Sequence, residues 1–285
     1  MIAAASSSKR TISQDERQHI ARKAEETFIA IVREIEKEHV ISLPNLMQIQ
    51  YTIDQPIQPN GTAQNPYIRK FCGLKARPYW EFEDFSEASC RQLKELVRNF
   101  AALQREFQIA KAPHRYVDGH TGYHGTMKDW RHRDVVTESM EFPQDARDSF
   151  PQLCALLEPF VSSKSLHRSF FAMMRPGVRL PNHCGATNLF LRLHLAMEIP
   201  TGDSGLMVGG EVRHWREGEI ILFDDSFGHE AWNNCGQDRY ILIMRIMHPE
   251  VSDIERHWLP IVFDRFKGTD ASNDVLRVLQ ETTMR

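Results

Sequence analysis

The sequence predicts a mainly β protein with helical flanks (α+β), whose core is a sandwich or a closed jelly roll. After Leu166, short β-rich runs follow one another, separated by Pro-Gly, Asp-Ser-Gly, Glu-Gly and Cys-Gly turns. Several short strands at such spacing are typical of a sandwich or barrel. Before Leu166, two long stretches instead repeat their apolar residues with helical periodicity. The chain therefore places its helices first and its β core second.

The first helix is expected over residues 13–39. Ser13 and Glu16 form the pattern of a capping box. Its apolar face consists of Ile20, Ala24, Phe28, Ile31 and Ile35.

A second helix is expected from about Ser86 to Ala110. Its buried stripe consists of Leu93, Leu96, Val97, Phe100, Leu103 and Phe107. Residues 41–70 between the helices are rich in Pro, Asn, Gln and Gly, which indicates a loop that serves as a linker or lid. The polar stretch 113–150 receives no assignment.

The expected strands lie in seven runs of the second half, beginning with a strand in 169–175. The longest run, residues 188–199, is interpreted as a buried strand, and the residues before it, which include His183, as a turn. The runs are SFFAMMR, NLFLRLHLAMEI, GLMV, EVRHW, EIILF, HEAWN and RYILIMRIM.

Composition limits the classes of partner. The 285 residues carry a formal net charge of −3, which gives no bulk reason to bind a nucleic acid polymer or a membrane surface. No apolar run approaches the roughly 20 residues that cross a bilayer, and the N-terminal residues lack the order of a signal peptide. We expect a cytoplasmic protein. The sequence does not indicate its oligomeric state.

The cysteines indicate neither a disulfide framework nor a zinc knuckle. The five are widely spaced and contain no Cys-x-x-Cys pair, so free thiols are expected. A nucleophilic role for Cys184 beside His183 lacks a positioned base and an oxyanion site.

Basic residues on two expected strands point to an anion pocket. In a strand, alternate residues share a face, so Arg192 and His194 point away from the leucines around them. Arg239 and Arg245 share one face of the last strand in the same way. Buried charge is costly unless it is paired, so inward arginines imply a carboxylate-bearing ligand. The alternative is an internal salt bridge to Asp224, Asp225 or Glu211.

Four segments together resemble the aspartyl/asparaginyl β-hydroxylase family of Fe(II)/2-oxoglutarate-dependent oxygenases. They are GLKARPYW, MMRPGVRLPNHCGATNLFLRLHL, EVRHWREGEIILFDDSFGHEAWN and RYILIMRIMHPE. The resemblance implies a double-stranded β-helix core of the cupin-like jelly-roll type. It covers residues 67–258, which we take as the oxygenase domain, with an N-terminal helix and loop extension at 1–66 and a C-terminal extension at 259–285.

The resemblance also implies a site. His183 and His229 correspond to the iron ligands, on two different strands, and neutral imidazoles suit Fe(II). Arg192, His194 and Arg239 are similar to the residues that hold 2-oxoglutarate, with Arg239 at its distal carboxylate. Trp130 resembles a pocket tryptophan of the family. The resemblance also implies that the enzyme uses O2, together with Fe(II) and 2-oxoglutarate.

Gly185 stands where many iron oxygenases have a carboxylate ligand. Members of the resembled family also have glycine there and hydroxylate. Iron-dependent halogenases replace the same carboxylate by Gly or Ala so that chloride binds iron. Gly185 therefore fits both chemistries. The resemblance favours hydroxylation, with chlorination of a nucleotide or amino-acid derivative in specialised metabolism as the alternative. Asp224 and Asp225 are interpreted as structural residues of the turn before His229.

The sequence departs from the pattern of the resembled family at three positions that bear on the substrate and cosubstrate. Phe190 replaces an arginine that grips the aspartyl substrate, Ala172 replaces a serine that helps to hold 2-oxoglutarate, and Arg245 replaces an acid. We therefore expect a small, soluble, anionic substrate, met by Arg175, Arg179 or Arg245, rather than a peptide. Two alternatives stay open, a non-catalytic anion-binding barrel and a protein-modifying hydroxylase.

Overall fold

The computed structural model describes residues 11–56, 62–120 and 126–283. Parts of the expected N-terminal extension (1–10), of the expected loop (57–61) and of the expected C-terminal extension (284–285) lie outside these ranges.

The expected first helix is confirmed as α1, Gln14–His39. The Ser13 side chain accepts a hydrogen bond from the backbone N–H of Glu16, which satisfies one of the free donors at the helix start. The helix ends at Val40, which adopts a left-handed conformation with φ 53°. Its buried face consists of Ile20, Ala21, Ala24, Phe28, Val32 and Ile35.

The expectation of one continuous second helix is wrong. Two helices, α2 (Glu87–Arg98) and α3 (Phe100–Ala110), meet at Asn99, whose φ of −91° and ψ of 6° are not helical. The Asn99 side-chain amide donates to the carbonyl of Glu95 at 2.8 Å, which ends α2. Asparagine competes with the helix in this way because its short side chain reaches nearby backbone groups. Four further helices are α4 (Gln144–Ser149), α5 (Pro151–Ser162), α6 (Asp253–Lys267) and α7 (Asp270–Thr283).

The expectation that 41–70 is entirely loop is also wrong. Strand β1 (Ile49–Tyr51) pairs antiparallel with β2 (Arg69–Phe71). Ile49, Tyr51 and Phe71 are buried in a cluster with α1, α6 and α7. The polar residues between β1 and β2 dominate the composition of this stretch, so the two short strands were not recognised. Outside the core barrel, this cluster joins the first and last helices of the chain.

The barrel consists of eight strands that pass back and forth between two sheets. They are β6 (Leu166–Met174), β7 (Val178–His183), β8 (Phe190–Glu198), β9 (Ser204–Val208), β10 (Glu211–Arg213), β11 (Ile220–Phe223), β12 (His229–Asn233) and β13 (Arg239–Met247). The small sheet has the order β10-β9-β12-β7, and the large sheet contains β11-β8-β13-β6. This alternation is a double-stranded β-helix, so the expected jelly-roll core is confirmed.

Three earlier strands extend the large sheet: β3 (Tyr79–Trp80), β4 (Val117–His120) and β5 (Thr126–Val136). Strand β5 fills much of the stretch that the sequence left unassigned. One face of the large sheet packs on α2, α3 and α5. Its other face meets the small sheet, since Ala172 and Ile241 share a buried cluster with Leu180 and Leu206.

The turn expected around His183 is a strand, β7. Pro181 argues against a strand in sequence reasoning, because proline cannot donate to a sheet ladder. In the structure, β7 is an edge strand that pairs with β12 alone, so the missing donor costs little. This correction places His183 on a rigid element.

The three-part domain division stays a prediction. Helix α6 runs through the boundary expected at 258, and α1 packs on both α6 and α7. Among the helices of the described ranges, none is long and apolar enough to cross a membrane.

Candidate active site

A cavity of about 250 Å³ lies between the two sheets of the barrel. The residues that the sequence predicted for the metal and the cosubstrate, together with Gly185 and Trp130, all line it. These residues are Trp130, His183, Gly185, Arg192, His194, His229 and Arg239. The fold thus brings together side chains from β5, β7, β8, β12 and β13.

The two histidines form a preorganised pair. His183 and His229 are directly opposite each other on β7 and β12, and their ring centroids are 4.1 Å apart. The Nδ1 atom of His183 lies 2.8 Å from the carbonyl oxygen of Pro181, and that of His229 lies 3.0 Å from the carbonyl oxygen of Phe227. Since a carbonyl only accepts, each Nδ1 carries the proton and each Nε2 keeps its lone pair. This is how metal-binding histidines are oriented.

Burial keeps the His229 imidazole neutral. Burial lowers the pKa of the His229 imidazole below its ordinary value, against the raising effect of Asp225. A neutral imidazole is the form that binds a transition metal such as Fe(II). Within the described part of the chain, no cluster of three or more His, Cys, Asp and Glu side chains has metal-binding geometry. His183 and His229 are two imidazole donors that face each other in the cavity.

Asp225 occupies the space beside Gly185. A β-carbon at position 185 would lie 2.5 Å from Oδ1 of Asp225, and Oδ2 of Asp225 lies 2.6 Å from Nε of Arg192. Burial opposes ionisation of this carboxyl, but the neighbouring positive groups, Arg192 first and Arg245 among them, together outweigh it, and the pKa of Asp225 lies below its ordinary value. The internal salt bridge that the sequence left open for Arg192 is present. Asp225 is thus an ionised group of the cavity as well as a turn residue.

Arg239 differs from Arg192 because it has no counter-ion. It is 2% exposed, and among the described residues it has no ion pair or hydrogen bond; its buried Nε lacks a partner. Its guanidinium packs over the ring of Trp215, 4.5 Å from the centroid. Burial lowers the pKa of Arg239 to about 9, so it remains a cation at neutral pH. A buried, unpaired cation at a cavity wall is a binding site for an anion.

His194 lies beside Arg239 in the same cavity and is also buried. Burial, followed by the charges of Arg239 and Arg192, holds the pKa of His194 well below its ordinary value. Its Nδ1 has no hydrogen-bond partner among the described residues. The expected alternation along β8 is confirmed, because the residues on either side, Leu193 and Leu195, belong to the cluster under the helices.

Trp130 closes one side of the cavity. It is opposite Met174 in the pairing of β5 with β6, and it is buried. The indole lies against Gly119, where a β-carbon would come within 2.0 Å of it. A larger residue at Gly119 would therefore displace the tryptophan.

Sequence reasoning missed several residues that line the cavity: Tyr67, His132, Arg168 and Asp225. A signal existed for Arg168, because at every second position along β6 it shares a face with Phe170, Ala172 and Met174, which lie in the cluster between the sheets. No local signal existed for Tyr67, whose backbone N–H donates to the carbonyl of Gly185 from a distant loop.

Two of the arginines proposed for an anionic substrate lie elsewhere. Arg175 and Arg179 are exposed and pair with Asp129 and Glu230. They do not line this cavity, whereas Arg245 does. This correction follows from β7 being an edge strand, which leaves Arg179 at the surface.

Comparison with known proteins gives one consistent family. The family model described as aspartyl/asparaginyl beta-hydroxylase matches residues 91–249. A mouse protein named aspartyl/asparaginyl beta-hydroxylase is 31% identical over 196 residues, which are 67% of this chain and 26% of that protein. The human aspartate beta-hydroxylase domain-containing protein 1 is 41% identical over 110 residues, 38% of this chain and 28% of that protein. This chain spans about a quarter of the length of the mouse and human aspartyl/asparaginyl beta-hydroxylases that it matches.

Solved structures with similar barrels are more distant. A Cupin 2 conserved barrel domain protein from Salinispora arenicola has a TM-score of 0.29 at 13% identity, covering 53% of this chain and 87% of that one. The DMSP lyase DddQ from Ruegeria pomeroyi has a TM-score of 0.34 at 12% identity, covering 81% and 94%. At these scores the fold assignment depends on the strand order described above.

Proposed function

This chain belongs to the aspartyl/asparaginyl beta-hydroxylase family, and from that premise we propose that it is an Fe(II)- and 2-oxoglutarate-dependent oxygenase. It hydroxylates an unactivated C–H bond of a small, soluble, anionic substrate. The activity, substrate and cofactors are proposals, because the chain spans only part of its named relatives.

The observation that carries the proposal is the unpaired Arg239 in the same cavity as the histidine pair. A metal site alone suits many reactions, and a buried arginine alone suits any anion. Together, two imidazoles whose Nδ1 atoms face carbonyl oxygens and one buried cation without a counter-ion among the described residues suit a metal with an anionic cosubstrate. Arg239 would hold a carboxylate of 2-oxoglutarate, and the two imidazoles would hold the metal.

Each residue has a distinct part in this scheme. His183 and His229 would hold the iron, which supplies oxidation by O2 coupled to the decarboxylation of 2-oxoglutarate to succinate. Arg239 fixes the distal carboxylate of 2-oxoglutarate, and neutral His194 offers it a hydrogen bond. Trp130 excludes water from one side. The protein orients the reactants in the cavity between the two sheets.

Asp225 supports hydroxylation rather than chlorination. A chloride ion in the position left by a side chain at 185 would meet the Asp225 carboxylate, which lies there and is ionised. Like charges in a buried site repel strongly. Chlorination remains the alternative that the bare Gly185 suggests, and it requires Asp225 to move.

Phe190 supports a substrate other than an aspartyl or asparaginyl side chain of a peptide. It lies under the guanidinium of Arg245, 4.3 Å from ring centroid to Cζ, and contributes no charge. The predicted cytoplasmic location and the absence of nucleic-acid and membrane partners stay predictions.

The proposal is tested by the formation of succinate from 2-oxoglutarate in the presence of Fe(II) and O2. Slow turnover without substrate is expected for the natural chain and not for His183→Ala. His214→Ala is the matched control, because His214 also places Nδ1 2.8 Å from a carbonyl oxygen, that of Ser204, but does not line the cavity. Equal succinate formation by all three proteins would contradict the ligand assignment. No 2-oxoglutarate binding by any would favour a barrel without this cosubstrate.

A further inference from the structure

Three arginines stand side by side across the large sheet. Arg245 on β13 is directly opposite Arg168 on β6 and directly opposite Arg192 on β8. All three line the cavity described above. Like charges in directly opposed positions destabilise a sheet, so such a row needs acids or a ligand to compensate it.

Each outer arginine forms a salt bridge with an acid, whereas the central one forms none among the described residues. Arg168 pairs with Asp134 at 2.8 Å, and Arg192 pairs with Asp225 at 2.6 Å. Arg245 has no hydrogen bond or ion pair among the residues that the structure describes. Burial, followed by the charge of Arg192, lowers the pKa of Arg245 to about 10, which leaves it protonated at neutral pH.

The surroundings of Arg245 add no negative charge in close contact. Phe190 lies against its guanidinium and His167 packs on Phe190, with ring centroids 5.0 Å apart. Burial, followed by the charges of Arg245 and Arg192, lowers the pKa of His167 to about 4, so this imidazole is neutral. The group in direct contact with the central cation is therefore an aromatic face, and the nearest acids, Asp225 and Glu138, act on it from beyond salt-bridge distance.

A second cavity, of about 450 Å³, adjoins the first and shares Arg245 and Ala186 with it. Its apolar wall is formed by Leu189, Phe190, Met247, Leu259, Pro260 and Phe263. The charged residues around it are Arg69, Glu138, Lys164, Arg256 and Asp264, in addition to Arg245. The space combines an apolar wall with an excess of cations.

We propose that Arg245 binds an oxyanion group of the substrate, a carboxylate or a phosphate, while an apolar part of the substrate occupies the second cavity. This inference rests on the proposed function, because the reacting carbon must reach the histidine pair. Arg245 lies six residues beyond Arg239 on one strand, roughly 20 Å between Cα atoms at about 3.3 Å per residue. The two arginines therefore serve different anions, Arg239 the cosubstrate and Arg245 the substrate. Arg245 determines specificity.

The test uses the full chain loaded with Zn(II) and saturated with 2-oxoglutarate, so that the cosubstrate site is filled. Phenyl phosphate and phenylacetate are titrated by ligand-observed NMR, with benzyl alcohol as the uncharged analogue. Both the natural chain and Arg245→Lys should bind at least one anion. Arg245→Gln should lose about 10- to 100-fold in affinity for it, as expected when one charge-assisted hydrogen bond is removed. Tighter binding of phenyl phosphate or of phenylacetate by the natural chain identifies which oxyanion group of the substrate Arg245 binds.

The matched control is Arg175→Gln, which removes an exposed arginine outside both cavities. It should bind the anions like the natural chain. Equal affinity of Arg245→Gln and the natural chain, or no anion binding by the natural chain, would overturn the inference. Formation of the Fe(II)-2-oxoglutarate charge-transfer band is measured separately. A normal band with failed anion binding rejects this inference alone, whereas an absent band rejects the proposed function.

Discussion

The carboxylate of Asp225 fills the space that a side chain at Gly185 would need, with only 2.5 Å between Oδ1 and the position of a β-carbon. The same carboxylate holds Arg192 at 2.6 Å. The cavity thus has a carboxylate beside the histidine pair, but one that comes from the turn before β12 rather than from residue 185.

The Gly185→Ala variant should be less stable than the natural chain by about 1–3 kcal/mol, since the added methyl group displaces a buried ion pair. Urea unfolding measures this difference. Gly236→Ala is the control, because no heavy atom lies within 4 Å of its added carbon. If both variants unfold like the natural chain, Asp225 does not occupy this space.

Replacement of Arg239 should have opposite effects on stability and on binding. Arg239→Met removes a buried cation without a partner, so the free energy of unfolding of the ligand-free protein should rise by about 1 kcal/mol or more. The thermal stabilisation that 2-oxoglutarate confers should disappear. Both effects are read from melting curves with and without 2-oxoglutarate.

The control for this experiment is Arg133→Met. Arg133 is also buried but pairs with Asp145 at 2.7 Å and donates to the carbonyl of Ala110. Its loss should destabilise the protein by about 1–3 kcal/mol and leave 2-oxoglutarate binding intact. Destabilisation of the same size in Arg239→Met would show that Arg239 is a structural residue.

Asp224 should make stability depend on pH. Burial raises the pKa of its carboxyl from 3.8 to about 7, against hydrogen bonds from Ser226 and Gln64. Below pH 4 the folded and unfolded chains are both protonated here. Between pH 4 and pH 7 the unfolded chain loses a proton that the folded chain keeps, so stability falls, by at most about 4 kcal/mol, and then levels off.

Asp224→Asn should remove this contribution. The side-chain amide that the substitution introduces can donate to Oε1 of Gln64, which is buried without a partner among the described residues, once the Gln64 amide turns over. The stability of the variant relative to the natural chain should increase from pH 4 to pH 7 in urea unfolding. A constant difference across this range would mean that Asp224 is already ionised when folded at pH 4.

Local patterns were sufficient for the parts of the site that lie on regular strands. The alternation of Arg192 and His194 with leucines correctly predicted which face of β8 enters the barrel. The same pattern on β13 predicted that Arg239 and Arg245 share the inward face. The helix break at Asn99 was less visible, because the apolar stripe continues across it and one side-chain hydrogen bond decides the local structure.

Contacts between distant segments could not be predicted from local patterns. Whether Arg239 or Arg192 has a counter-ion depends on where the turn before β12 places Asp225, which no spacing reveals. The same is true of Arg245, whose neighbours Arg168 and Arg192 come from strands far apart in the sequence. The pairing register of β6, β13 and β8 places the three arginines side by side.

The most direct test of the central claim is an anaerobic titration of the metal-free protein with Fe(II) and 2-oxoglutarate, with and without chloride. If two histidines hold iron, Arg239 holds the cosubstrate and Asp225 excludes halide, a saturable charge-transfer band should form and remain unchanged by chloride. A band that shifts saturably with chloride but not with a non-coordinating anion would contradict the role of Asp225 and favour chlorination. No band at all would contradict the site itself.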